Sequence, residues 1–292
     1  MQVYYNPKVI EKNQVIALGN FDGVHMGHKA ILKKTKWLAA QSGAKPAVIT
    51  FEPHPVHLFK PSVLPIRINS LKGKIALLEK AGIENCHILK FNRSFANLSA
   101  EEFINKYLAG NHIVTGYDFV FGKSRTGNAE LLQERLGENY TIIPPQEGDG
   151  VVYSSSKVRT ALKAGDVQTA NFLLGHNYFI EGKVLHGAGK GAQIGFATAN
   201  IKLKPYLLKP KYGVYKVQTN YGAGIANFGV RPTLDGITEI LEVHLFDFRG
   251  DIYGKMLNVE FEKYIRAEKK FASVQELKNQ IQEDIKIAKN EK

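Results

Sequence analysis

Two rhythms divide the chain. In the first half, short apolar runs (Val15–Leu18, Ala47–Phe51, His87–Leu89, His112–Thr115 and Tyr140–Ile143) stand apart from one another. Their spacing of about 25–40 residues is that of βαβ units. The stretches between them carry a helical period. Ala30, Ile31, Trp37 and Leu38 mark one helix, and Ile75, Leu77, Leu78 and Ala81 a second. Ser99 opens a third, with Glu101 and Glu102 in its first turn and Phe103, Ile104 and Leu108 on one face. This predicts an α/β fold with a parallel, doubly wound sheet, which binds ligands at the carboxyl ends of its strands.

From about Tyr178 the apolar runs shorten and crowd: Gly182–Leu185, Val214–Gln218, Gly224–Phe228, Leu241–Phe246 and Leu257–Tyr264, punctuated by glycines. That pattern predicts an antiparallel sheet or small barrel. A closing helix follows, with Ser273 as N-cap, Glu276 completing a capping box, and Val274, Leu277, Ile281 and Ile285 as one apolar stripe. There is no internal repeat and no low-complexity linker. The boundary is expected within 165–182 and is drawn at 178/179, giving domains 1–178 and 179–292.

Composition narrows the class. The 292 residues are 44% hydrophobic and 23% charged, which excludes collagen-like and wholly disordered chains. No run approaches the ~18 apolar residues of a membrane span. The start, Met1 to Lys8, lacks the basic-then-apolar order of a signal peptide. One cysteine, Cys86, forbids an intrachain disulfide and points to a reducing cytoplasm. The net charge of +12 attracts anions. The basic residues are spread out, however, with only pairs such as Lys33-Lys34, so phosphorylated small molecules fit better than nucleic acid. The oligomeric state is left open.

The most informative segment is Gly19-Asn20-Phe21-Asp22-Gly23-Val24-His25-Met26-Gly27-His28, between a predicted strand and a predicted helix. Its glycines allow tight turns and close approach to a phosphate. A helix start presents free N–H groups to an anion. Two imidazoles three residues apart can both face one phosphate. Taken alone, H-x-x-H is equally compatible with a metal site. The whole string resembles the HxGH signature of the nucleotidyltransferase superfamily, in the form found in prokaryotic bifunctional riboflavin kinase/FAD synthetases. Phe51-Glu52-Pro53-His54-Pro55 is similar to that family's FxPHP. Gly116-Tyr117-Asp118-Phe119-Val120-Phe121-Gly122 with Arg125 resembles its flavin-side loop, although Asp118 also reads as a loop cap. Ser154-Ser155-Ser156-Lys157-Val158-Arg159 resembles SSTxIR, with Lys157 in place of a small residue; its plain alternative is an N-capping serine.

The second half carries the same resemblance. Gly187-Ala188-Gly189-Lys190-Gly191 is not a P-loop, because Val184 and Gly191 stand where that motif needs Gly and Ser or Thr. Instead His186-Gly187, Gly191, Ile194-Gly195-Phe196 and Ala197-Thr198-Ala199-Asn200-Ile201 resemble the riboflavin kinase stretch ending in PTANI. Asn227 to Thr233, Glu242 within Leu241–Phe248, Asp251 to Gly254, and Ile265 to Phe271 (with Arg266 and Glu268) continue the match. Ala192-Gln193 and Ala197 replace the family's Arg-Thr and proline, which predicts a working kinase with a weaker hold on ATP phosphates. Read by itself, Glu242 is an outward charge on a half-buried strand.

The resemblance implies a Rossmann-like nucleotidyltransferase domain followed by a β-barrel riboflavin kinase domain. Riboflavin would become FMN and FMN would become FAD, with one ATP used at each step and Mg²⁺ sharing the charge. His25 and His28 would stabilise the transferred phosphorus. Gly19, Asn20, Phe21, Asp22, Gly23, Gly27, Pro53, His54, Gly116, Asp118, Arg125, Ser155, Ser156 and Arg159 would hold ATP and FMN. Glu242 would be the kinase base, and Thr198 and Asn200 would contact Mg²⁺ and ATP. Gly187, Gly191, Gly195, Arg266 and Glu268 would complete that second site. Competing readings are a monofunctional FAD synthetase, another nucleotidyltransferase, or a flavin or nucleic-acid binder without turnover.

Overall fold

The computed structural model describes the chain except residues 61, 63–64, 187–193, 234–235 and 291–292, and except the side chains of 231–238. The chain divides into two compact units: Met1–Arg67 with Leu71–Ser155, and Ile68–Ser70 with Ser156–Lys292.

The first unit runs β1 (Gln2–Tyr5), β2 (Gln14–Leu18), α1 (Met26–Ser42), β3 (Lys45–Glu52), α2 (Pro55–Phe59), α3 (Leu71–Lys80), β4 (Asn85–Lys90), α4 (Arg93–Ala96), α5 (Ala100–Phe103), β5 (His112–Gly116), α6 (Ala129–Leu136) and β6 (Tyr140–Ile143), then a small hairpin of β7 (Glu147–Gly148) and β8 (Val151–Val152). Six strands pair in parallel in the order β1-β4-β3-β2-β5-β6. All five residues of β2 are buried, as expected of a strand covered on both faces. Alternation sorts them: Ile16 and Leu18 pack with Ile49, Phe103, Leu108 and Leu132, while Val15 and Ala17 pack with Ile31, Leu32, Leu78 and Val114. The chain winds outward from β2 toward β1 on one side and toward β6 on the other. The switch point therefore lies between β2 and β5, where open α/β sheets bind ligands.

Edge strand β1 is too short to register in the sequence pattern. The third predicted helix keeps its Ser99–Glu102 capping box, but after Phe103 it loosens into a π-helical turn over Ile104–Leu108.

The second unit runs α7 (Ser155–Ala164, its first residue counted with the first unit), α8 (Val167–Leu174), β9 (Tyr178–Leu185), β10 (Ala199–Lys202), β11 (Gly213–Thr219), β12 (Gly222–Thr233), β13 (Gly236–Leu245), β14 (Met256–Arg266) and α9 (Val274–Asn290). The six strands close into an antiparallel barrel, β10-β13-β12-β11-β14-β9. Tyr178, Tyr215, Phe228, Leu241, Val243 and Phe261 are buried in its core.

Strand β10 is absent from the sequence reading, and it carries Asn200. The α9 stripe also needs correction. Val274 is 59% exposed, and the face on the barrel is Ile281, Asp284, Ile285 and Ala288. Ser273 caps as expected, with its hydroxyl accepting from the Glu276 amide at 3.1 Å. The Glu276 carboxylate, however, reaches back to the amide of Ala272 instead of Ser273, at 2.9 Å.

Candidate active sites

The first site is built at the carboxyl ends of β2, β3 and β5. After Leu18 the loop bends through three positive φ angles in four residues: Phe21 (49°), Gly23 (83°) and Val24 (43°). For a β-branched valine that conformation is strained, and such strain persists only where the surroundings enforce it. Phe21 is fully buried beneath the loop and Asp22 is buried beside it. His25 is the N-cap of α1: its Nδ1 accepts from the His28 amide at 3.4 Å. An accepting Nδ1 places the ring proton on Nε2. The His25 and His28 rings stack with centroids 3.6 Å apart, and Phe21 meets His28 edge-on at 5.1 Å. Gly27 permits this, because a Cβ there would lie 3.2 Å from the His25 ring. The first turn of α1 holds no acidic residue, so the positive end of its dipole is not offset.

Other sequence candidates in the first unit gather at the same edge. Pro53 and His54 follow β3, and His54 caps α2 through Nδ1 to the Val56 amide at 3.3 Å. Gly19 donates its amide to the Ile49 carbonyl of β3 at 3.2 Å. Gly116 ends β5, and exposed Asp118 bends back so that its Oδ1 is 3.3 Å from where a Gly116 Cβ would be. Ser155 donates its hydroxyl to the Asp22 carbonyl at 2.8 Å, joining the serine motif to the histidine loop. Ser156 and Arg159 are counted with the second unit: Ser156 is exposed, and Arg159 is half-buried on α7, four residues after Ser155. Arg125 lies exposed in a short turn, at positive φ.

The sequence reading missed the support beneath this loop. Lys74 of α3 donates to the Asn20 carbonyl at 3.1 Å and to Thr50 Oγ1 at 3.0 Å, and Thr50 donates to the same carbonyl at 3.1 Å. Beside it, Arg67 grips Glu52 in a bidentate pair at 2.6 and 2.8 Å. Burial, and then the Arg67 charge, hold His57 below its ordinary value.

The second candidate site lies on the outer face of the barrel. Asn200 stands directly across from Glu242, and Glu242 directly across from Asn227 on its other side. Residues opposed in this way share a face. Leu241 and Val243 point into the core, so Glu242 points out with the two asparagines. Asn200 is 4% exposed, yet its buried Oδ1 accepts no hydrogen bond. Glu268 approaches Asn227 Nδ2 at 3.5 Å, and its carboxylate lies over Gly229, where a side chain would have to displace it.

Thr198 is half-buried just before β10, and Gly195 takes a left-handed turn (φ 91°). The segment between them is anchored by a residue the sequence did not single out: His244 Nδ1 donates to the Ala197 carbonyl at 2.9 Å. Arg266 is committed elsewhere. Its guanidinium binds Asp284 of α9 at 2.8 and 2.7 Å and the Ala267 carbonyl at 2.9 Å. Gly187, Gly191, Ala192 and Gln193 lie outside the described residues.

Residues 8–157 match the FAD synthetase family and residues 174–291 match the riboflavin kinase family. The bifunctional riboflavin kinase/FMN adenylyltransferase of Bacillus subtilis is 39% identical over 290 residues, covering 94% of this chain and 91% of that protein. The chain belongs to the bifunctional riboflavin kinase/FMN adenylyltransferase family. The Escherichia coli K12 member is 40% identical over 283 residues, 92% of this chain and 90% of its own. A Streptococcus pneumoniae crystal structure, described as a macrolide-efflux protein, covers the whole of both chains with a TM-score of 0.90 at 30% identity. Among the described residues no helix is long and apolar enough to cross a membrane. The family's two halves thus coincide in the sequence with the parallel sheet and the barrel. The readings of a monofunctional synthetase, a different nucleotidyltransferase or a binder without turnover are not favoured.

Proposed function

We propose that the enzyme's two reactions, riboflavin phosphorylation and FMN adenylylation, are carried out at the Asn200–Glu242 row and at the His25–His28 stack respectively. The observation that carries the reading is the stacked imidazole pair at the start of α1, set at the sheet's switch point. In adenylylation an FMN phosphate oxygen attacks the α-phosphorus of ATP, the bond to the bridging oxygen breaks, and pyrophosphate leaves. His25 Nε2–H, the α1 amides and His28 stabilise charge on the crowded phosphorus, worth about 3–4 kcal/mol per well-placed donor. Ser155, Ser156 and Arg159 hold the departing phosphates. Gly19, Asn20, Asp22, Gly23, Pro53, His54, Gly116, Asp118 and Arg125 form the rest of the nucleotide and flavin cradle.

In phosphorylation Glu242 takes the proton of the riboflavin primary hydroxyl as that oxygen attacks the γ-phosphorus and ADP leaves. The His244 bond to Ala197 restrains the backbone where relatives of the resembled motif carry proline, which supports a working kinase. Glu268, Gly195 and Thr198 border this row.

The donors fit Mg²⁺ as a co-substrate ion. Among the described residues no cluster of three His, Cys, Asp or Glu could hold a resident metal. The buried, unbonded Asn200 Oδ1 is an oxygen donor of the kind Mg²⁺ takes, together with Thr198 and substrate phosphates. When bound, Mg²⁺ supplies positive charge to the transferred phosphoryl oxygens. Cys86, the one cysteine of the sequence, is a free buried thiol, which fits a cytoplasmic protein needing no disulfide.

Purified protein with ATP and Mg²⁺ is given riboflavin in one tube and FMN in another, and products are separated by chromatography. FAD from both tubes is the expected result. FAD from FMN alone would overturn the kinase assignment, and no product would overturn both. Omission of Mg²⁺ with chelator present should stop both reactions.

A further inference from the structure

Lys74 occupies a position where an amphipathic helix ordinarily buries a hydrophobe. It lies one turn before Leu78 on the inward face of α3 and is 4% exposed. Placing an ammonium there costs several kcal/mol unless it is well bonded. Its partners are the Asn20 carbonyl and Thr50 Oγ1, and Thr50 in turn donates to Asn20. One carbonyl of the histidine loop is thus held from below by two donors, one of them charged. That carbonyl belongs to the residue directly before the strained Phe21–Val24 bend.

We propose that Lys74 is a positioning residue for FMN adenylylation: pinned to the Asn20 carbonyl, its ammonium fixes the bend that presents His25 and His28. This rests on the reading that those histidines form the adenylylation site. A neutral amine keeps fewer donors and no charge, so the loop is held most firmly while Lys74 is protonated. The charged and titratable groups around it are Arg67 before α3, Asp22 of the loop, Glu52 of β3 and Cys86 of β4. Burial first, and then the Arg67 charge, lower the ammonium to about 8, against the pull of Asp22, Glu52 and Cys86. Burial drives Cys86 to about 11, well clear of that range.

The test is the pH profile of FAD formation from FMN in wild type, K74M and K74R, with riboflavin phosphorylation by the same chains as an internal control of folding. Wild-type kcat should fall above about pH 8, approaching tenfold per unit, as a single group loses its proton. K74M should lose at least about tenfold at pH 7, the cost of about 1.4 kcal/mol, and show no such inflection. K74R, whose guanidinium keeps its charge, should move the decline upward by more than about one pH unit. Phosphorylation should stay within about twofold in both variants, because it uses separate residues. K74M with wild-type kcat, an inflection that survives in K74M, or a decline unmoved in K74R would overturn the inference. So would a wild-type profile flat from pH 7.5 to 9.5, a result that does not depend on either variant folding. H28A separates the role of Lys74 from that of the histidines. Full activity in H28A would remove the site reading itself, whereas a dead H28A beside an unaffected K74M would remove only the role of Lys74.

Discussion

Gly27 sits against the face of His25, with a distance of 3.2 Å between the ring and the place a Cβ would occupy. The residue is helical and has no positive φ, so its backbone would accept alanine. Gly27→Ala should therefore leave stability unchanged or raise it by up to about 1 kcal/mol. It should also lower FMN adenylylation about 10- to 100-fold by displacing the imidazole. Melting temperature and FAD formation measured on one preparation check this; a variant both stable and fully active would refute it.

Glu242→Gln keeps the shape of the Asn200–Glu242–Asn227 row but removes the carboxylate proposed as the base. Riboflavin phosphorylation should fall about 100- to 1000-fold. FAD formation from supplied FMN should be untouched, which a two-substrate chromatographic assay reads directly.

Asp284 is 1% exposed and holds Arg266 at two points, tying α9 to the end of β14. Asp284→Ala strands the guanidinium and should cost about 3 kcal/mol in urea unfolding. The double variant R266M/D284L, apolar at both positions, should recover most of that loss. Recovery of riboflavin phosphorylation along with stability would show that Arg266 serves the flavin site through α9. Recovery of stability alone would show direct contact.

His87 is buried, stacks on Tyr4 at 4.9 Å and shares Gln14 Oε1 with Asn85. Burial, only partly offset by Glu11, lowers it from 6.5 to about 4. The unfolded imidazole then binds a proton between those values that the folded one refuses. Stability is therefore intact above pH 6.5 and is lost as pH falls toward 4, by up to about 1.4 kcal/mol per unit and about 3 in all. Urea midpoints across pH 7 to 4.5 should decline less steeply in His87→Phe, which keeps a ring beside Tyr4 and cannot titrate.

The sequence pointed to the candidate site whose residues are contiguous. The loop Gly19–His28 has its glycines, histidines and helix start in one string, and the structure stacks the imidazoles there. Glu242 was legible only through resemblance, since alternation makes it an ordinary outward charge; its pairing with Asn200 depends on β10, four residues whose pattern is too short to read. Lys74 and His244 were invisible for another reason. Each acts on a backbone carbonyl far away in sequence, of Asn20 and Ala197 respectively, and a lone lysine in a helix or histidine in a strand reads as solvated. Val274 failed because a stripe drawn from period alone ignored the Arg266–Asp284 clamp, which sets which side of α9 meets the barrel.

The barrel's closure by β9 on β10 determines how each half wears out. The open sheet has two terminal strands, β1 and β6, that can fray while β2, which leads into the histidine loop, stays paired with β3 and β5. A ring has no terminal strand to sacrifice. Opening any seam frees two edges at once, and opening the one between β10 and β13 separates Asn200 from Glu242. On heating, phosphorylation should disappear in one cooperative step, while adenylylation outlasts the first loosening of its own unit.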